Sequence, residues 1–217
     1  MRVLIAGGHG KIALLLERRL AERGDQAVGL VRNPGHRADV EAAGGEAVVC
    51  DLERASAEEV AKLLDGADAV VFAAGAGPGS GAARKDTVDR AASVLLAEAA
   101  ERAGVRRFVQ ISSMGAGAPP SPGSDEVWAA YITAKTAAED DLRGRDLDWT
   151  IVRPGGLTDD SGGGGVLLAP PPVPRGTVAR ADVAAVVAAL LDEPGTAGMT
   201  LELVEGDVPV ERAVRAL

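Results

Sequence analysis

The chain of 217 residues has few aromatic side chains. Phe72, Phe108, Trp128, Tyr131 and Trp149 are the whole set, 2% of the sequence, so a core must be assembled from Ala, Val, Leu and Ile. There is one cysteine, Cys50, which excludes an internal disulfide framework and a cysteine-rich metal site. The only histidines are His9 and His36, too few for a His-based zinc centre, and no metal site is expected. Basic residues are outnumbered and the net charge is −9, which argues against a nucleic-acid surface and against docking on anionic membranes. No uncharged apolar run approaches the ~18–20 residues of a membrane span. The N-terminal apolar run of four, Val3–Ala6, is shorter than the ~7–15 residues of a signal-peptide core. The expectation is a soluble cytoplasmic protein with Cys50 as a reduced, buried thiol.

What is present is a rhythm. Short apolar runs at Val3–Ala6, Ala27–Val31, Ala47–Cys50, Ala69–Phe72, Arg107–Ile111 and Trp149–Val152 fit strands covered on both faces. Between them, helical spacing occupies Lys11–Arg23, Arg37–Ala43, Ala57–Leu64, Arg84–Ala103 and Asp125–Arg143. Beyond them a helix is expected at Arg180–Leu191, a strand at Thr200–Val204 and a terminal helix at Val210–Leu217. Alternating strands and helices predict βαβ units, hence a three-layer, doubly wound parallel α/β sheet of the Rossmann type, formed by residues 1–217 as a single domain. Loops at 74–83, 114–124 and 153–176, rich in Gly, Ala and Pro, follow the ends of strands four, five and six. Open α/β sheets bind ligands at that edge, so these loops are expected to rim a pocket.

Gly7-Gly8-His9-Gly10-Lys11-Ile12-Ala13 follows the first strand directly and opens the first helix. Gly7 permits the tight turn, Gly10 lets a pyrophosphate reach the backbone, and the helix start supplies N–H donors. The second strand ends Val31-Arg32-Asn33-Pro34. An acid there would hold a ribose 2′-hydroxyl and favour NAD. Arg32 suits a 2′-phosphate instead, which favours NADP(H) and leaves NAD(H) open; a solvated arginine is the bland alternative. His9 and Lys11 either add charge near the phosphates or are merely solvated. In Cys50-Asp51-Leu52, Asp51 either accepts from the adenine amino group or caps the next turn. Ala73-Ala74-Gly75 is small enough for an adenine ribose to lie against the backbone.

Tyr131 and Lys135 stand four apart on a predicted helix and share a face. A tyrosine serves as a general acid when nearby positive charge favours its phenolate. Ser113, in Ser112-Ser113 at the end of the fifth strand, offers a hydroxyl to orient a carbonyl.

Together, Gly7-x-x-Gly10, Ser113, Tyr131-x-x-x-Lys135 and Arg153-Pro154-Gly155 resemble the short-chain dehydrogenase/reductase superfamily. Val31-Arg32-Asn33-Pro34, Ser112-Ser113-Met114-Gly115, the run Leu147–Gly155 and Gly206-Asp207-Val208-Pro209 look most like its compact atypical branch, the NmrA-like NAD(P)H-binding oxidoreductases. The resemblance implies hydride transfer between nicotinamide and a carbonyl or alcohol substrate. It implies Tyr131 as proton donor or acceptor, Lys135 on the nicotinamide ribose and beside Tyr131, Ser113 on the reacting oxygen, and the Pro154-Gly155-Gly156-Leu157 backbone flanking the nicotinamide. One departure stands out. The best-known members add an asparagine from the helix after strand four, and the only asparagine here, Asn33, lies elsewhere. The apolar rim loops suggest a small, fairly apolar substrate, with Met114, Trp128 and Leu157 as candidate walls. The alternatives are an NADP(H)-binding redox sensor without turnover and a flavin or quinone reductase needing no side-chain acid, with epimerase or lyase chemistry behind them. A monomer and a homodimer are both compatible with the pattern.

Overall fold

The computed structural model describes residues 1–217 apart from Pro78 and Ser121. These two fall in the expected rim loops 74–83 and 114–124, whose readings at positions 78 and 121 lie outside the described residues. In chain order the elements are β1 (Arg2–Ala6), α1 (Lys11–Glu22), β2 (Gln26–Val31), α2 (Arg37–Ala42), β3 (Glu46–Val49), α3 (Ala57–Leu63) and β4 (Ala69–Phe72). A short α4 (Ala82–Arg84) runs through a π-helical stretch, Lys85–Ala91, into α5 (Ala92–Ala103). Then come β5 (Arg107–Ile111), α6 (Glu126–Arg143), β6 (Asp148–Pro154), β7 (Gly156–Thr158), β8 (Gly165–Ala169) and β9 (Thr177–Ala179). The chain closes with α7 (Arg180–Leu191), β10 (Met199–Glu205), β11 (Val208–Pro209) and α8 (Val210–Arg215).

The main sheet has the order β11-β8-β10-β6-β5-β4-β1-β2-β3. From β10 to β3 every pairing is parallel, as the buried apolar runs predict. Neighbouring residues on β1 serve opposite faces: Val3 and Ile5 pack in one core with α1 and α7, Leu4 and Ala6 in the other with α3, α5 and α6. That alternation makes three layers from one strand pattern. The helix ends follow local rules. Ser56 and Glu59 form a reciprocal capping box at α3. Asp125 accepts from the N–H groups of Val127 and Trp128 at the start of α6. Gly104 ends α5 at φ +73°, a conformation favourable to glycine.

One expectation needs correction. Residues 153–176 are not a plain loop: they hold β7, β8 and the approach to β9. β8 pairs antiparallel with β10, and β11 antiparallel with β8, so the sheet is parallel-dominated with an antiparallel edge. β7 and β9 form a separate two-stranded parallel piece.

Candidate functional site

The strand order reverses at β1, whose neighbours are β2 on one side and β4 on the other. The crevice above such a point is where open α/β sheets take their ligands. Two cavities lie there. One, of about 810 Å³, is walled by the ends of β4, β5 and β6 together with α6 and the start of β7. The other, of about 430 Å³, lies over the ends of β1, β2 and β3. They share Ala73, Ala74 and Gly75, so they form two compartments of one cleft.

The glycine loop has the geometry its sequence suggests. Gly7 sits at φ +80°, and a Cβ there would come within 2.6 Å of the Ala74 backbone, so β1 and β4 approach this closely only because the side chain is absent. Gly10 caps α1 and donates its N–H to the Gly7 carbonyl at 2.8 Å. Gly7, His9, Gly10, Arg32, Asp51 and Leu52 line the smaller compartment. The shared ledge of small residues and the dipole end of α1 fit an adenine dinucleotide laid across both compartments. Residues of the glycine loop and of 73–75 would hold its phosphates and ribose.

In the smaller compartment the charged groups engage one another. Glu53 accepts from Arg32 at 2.8 Å, from Arg84 at 2.7 Å and from the Thr87 hydroxyl at 2.7 Å. The His9 ring stacks on His36 with centroids 3.6 Å apart and meets Asp39 through Nε2 at 2.7 Å. Asp51 lines the compartment, and its Oδ1 accepts from the Glu53 N–H at 3.1 Å. Cys50 lines the compartment and is half-buried rather than buried; burial, aided by Asp51, raises its thiol pKa. Lys11 does not belong to either compartment. It turns outward to Asp159 at 2.5 Å and holds that carboxyl below its usual range.

The larger compartment contains Ile12, Ser113, Tyr131, Lys135 and the Pro154–Leu157 backbone, all expected from sequence. β5 and β6 bring them together. The Ser112 N–H donates to the Val152 carbonyl at 2.7 Å and the Met114 N–H to the Pro154 carbonyl at 2.9 Å, so Ser113 lies beside Pro154. Ser113 Oγ donates to the Met114 carbonyl at 3.3 Å. Lys135 is 4% exposed, with Nζ 5.7 Å from the Tyr131 ring centroid. Lys135 Nζ donates to the Ile111 carbonyl at 3.2 Å and pairs with Asp89 at 3.3 Å.

Asp89, Lys85 and Glu139 were not read from sequence. Asp89 is 1% exposed on the π-helical stretch after β4, the part of the fold from which other superfamily members present an asparagine. Its second oxygen accepts from the Ala76 N–H at 3.2 Å. Lys85, four residues earlier, is 8% exposed and lies 5.2 Å from the Tyr131 ring centroid. The i, i+4 spacing of Lys85 and Asp89 was the available signal. Glu139, fully buried on α6, accepts from Ser112 Oγ at 2.6 Å, from Arg153 at 2.9 and 2.5 Å, and from Arg143 at 2.8 Å. It therefore clamps β5, β6 and α6, the three elements that carry Ser113, the Pro154 backbone and Tyr131.

Comparison with known proteins gives the family. The model of an NAD(P)H-binding family matches residues 7–194. The chain is 36% identical over 218 residues to the uncharacterized sugar epimerase YhfK of Bacillus subtilis, covering all of both chains. A solved Bacillus halodurans structure, provisionally named an NAD-dependent epimerase/dehydratase, superimposes with a TM-score of 0.92 at 35% identity over the full length of both. The oxidoreductase ylbE of Lactococcus lactis superimposes with a TM-score of 0.85 at 26% identity, covering 100% of this chain and 96% of that one. The chain belongs to the NAD(P)H-binding family, in the compact atypical branch of the short-chain dehydrogenase/reductase enzymes.

Proposed function

We propose that the protein is an NADP(H)-dependent oxidoreductase acting on a carbonyl or alcohol substrate, with Tyr131 as proton donor in the direction of reduction. The observation that carries this is the grouping of Tyr131, Lys135, Ser113 and the Pro154–Leu157 backbone in one cavity that opens onto the glycine-loop compartment. Bound nicotinamide supplies and accepts the hydride. The chain does the rest. Ser113 Oγ reorients from the Met114 carbonyl to the substrate oxygen. The Tyr131 hydroxyl passes its proton to that oxygen as negative charge develops there. Lys135, fixed by Asp89 and Ile111, would hold the ribose hydroxyls of the bound cofactor and keeps positive charge beside the phenol. Asp89, on the segment after β4 where the resemblance would place an asparagine, positions this lysine.

Arg32 supports the preference for the phosphorylated cofactor. It is 55% exposed at the mouth of the smaller compartment, with Arg84 on the same Glu53 carboxylate. A 2′-phosphate exchanges one anionic partner for another there and gains a bidentate contact.

The test is NADPH oxidation against a panel of aldehydes, ketones and quinones. The account expects turnover with a carbonyl compound and a ~10²–10⁴-fold loss of kcat in Tyr131→Phe, with NADPH affinity nearly unchanged. Undiminished turnover in Tyr131→Phe would remove the assigned acid and favour quinone or flavin reduction. Tight NADPH binding with no turnover of any substrate would favour a redox sensor.

A further inference from the structure

The larger compartment has charge to spare. Four cations line it, Lys85, Lys135, Arg175 and Arg180, against two carboxylates, Asp89 and Asp125. The existing pairings do not cancel them. Lys135 is matched by Asp89. Arg180 is held by Asp159 at 2.7 Å, outside the lining. Asp125 is occupied as the cap of α6. Lys85 and Arg175 are left over: among the described residues neither has a carboxylate partner.

Lys85 is the more informative of the two. Only 8% exposed, it donates among the described residues to a single acceptor, the Gly77 carbonyl at 2.9 Å, although an ammonium carries three N–H donors. A nearly buried cation without a counter-ion is unfavourable unless an anion meets it. This cation is 5.2 Å from the Tyr131 ring centroid, beside the proposed proton donor. In a chain of net charge −9, two uncompensated cations facing one cavity mark it as a place for an anion.

The same cavity is apolar at its mouth. Val127, Trp128 and Leu157 are three of the exposed large hydrophobic side chains of the molecule, at 38%, 44% and 40% exposure, and all three line it. A ligand body against Trp128 and Leu157 would cover them.

Resting on the oxidoreductase reading, we propose that the substrate is an amphipathic acid: a carboxylate received by Lys85 and Arg175, on an apolar body lying against Trp128 and Leu157. This adds an anionic group to the small, fairly apolar substrate suggested by loop composition. That reading missed Lys85 because it lies on the helix after β4, outside the rim loops.

The experiment is calorimetric titration of the NADP⁺-saturated protein with three acid–amide pairs: benzoate and benzamide, 2-naphthoate and 2-naphthamide, 4-phenylbutanoate and its amide. At least one acid is expected to bind about tenfold or more tightly than its amide, the effect of a charge-assisted contact. Lys85→Met and Arg175→Gln should each reduce that ratio several-fold. Arg175 is exposed, so its replacement tests the proposal even if Lys85→Met folds poorly. Equal affinity within every pair, binding of none of the acids, or a ratio that survives Arg175→Gln overturns the proposal. NADPH affinity, measured on the same samples, separates the two readings. Tight NADPH binding without acid preference rejects the acidic substrate and leaves the oxidoreductase standing. Loss of NADPH binding in the parent protein rejects both.

Discussion

The two compartments of the cleft are built differently. In the larger one, the polar side chains that matter are buried and tied across elements: Asp89 to Lys135, and Glu139 to Ser112, Arg143 and Arg153. At the smaller one, Arg32 and Arg84 share Glu53 and His9 meets Asp39, in pairs that are largely exposed. A buried network fixes atoms that must meet within hydrogen-bond distance during a reaction. Exposed pairs contribute little stability and exchange partners readily. On the proposed function, rigid groups would set the chemistry and replaceable ones the choice of cofactor.

Breaking the buried side should have the largest effect. Glu139→Ala strands Arg153, which is 7% exposed, and cuts the link among β5, β6 and α6. The expected loss is about 3–5 kcal/mol in urea unfolding, with activity falling in step. A loss under ~1 kcal/mol would show that packing alone holds the three elements.

The next effect concerns Glu17 on α1, beneath the glycine loop. Its carboxyl is fully buried without a hydrogen-bond partner among the described residues, and burial pushes its pKa from 4.5 to about 8. The folded state holds this proton when the unfolded state has released it. Stability should therefore fall as pH rises from about 4.5 to about 8 and then level off, by at most about 1.4 kcal/mol per pH unit. Glu17→Gln should flatten the profile, as read from urea midpoints at pH 5 and pH 8. An unchanged slope would assign the pH dependence to other groups.

The smallest effect sharpens the contrast from the exposed side. Glu53→Gln releases Arg32 and Arg84 from a competing carboxylate. NADPH affinity should rise about two- to fivefold, within the range of an exposed pair, with NADH unchanged and with no measurable change in urea stability.

The contrast also explains what could be read from sequence. β1 to β6 were legible because their apolar runs stand alone between helical spacings. β8 and β11 were not. Their partners are distant in the chain, and the Gly162–Gly165 and Pro170–Pro172 stretches read as loop. Tyr131, Lys135 and Ser113 were legible as a motif. Lys85 and Asp89 resembled the solvated charges of any helix, and the tertiary packing of the π-helical stretch, against α6 among others, buries them. Arg153 was noticed as part of a motif, but its role depends on Glu139, which lies on another element.

The central claim is that the two compartments form one dinucleotide cleft, and calorimetry tests it most directly. NADPH and NADH are titrated side by side into the parent protein and into Arg32→Ala. NADPH is expected to bind about tenfold or more tightly than NADH, and the variant to lose this difference while retaining NADH affinity. Binding of neither cofactor to the parent protein would contradict it.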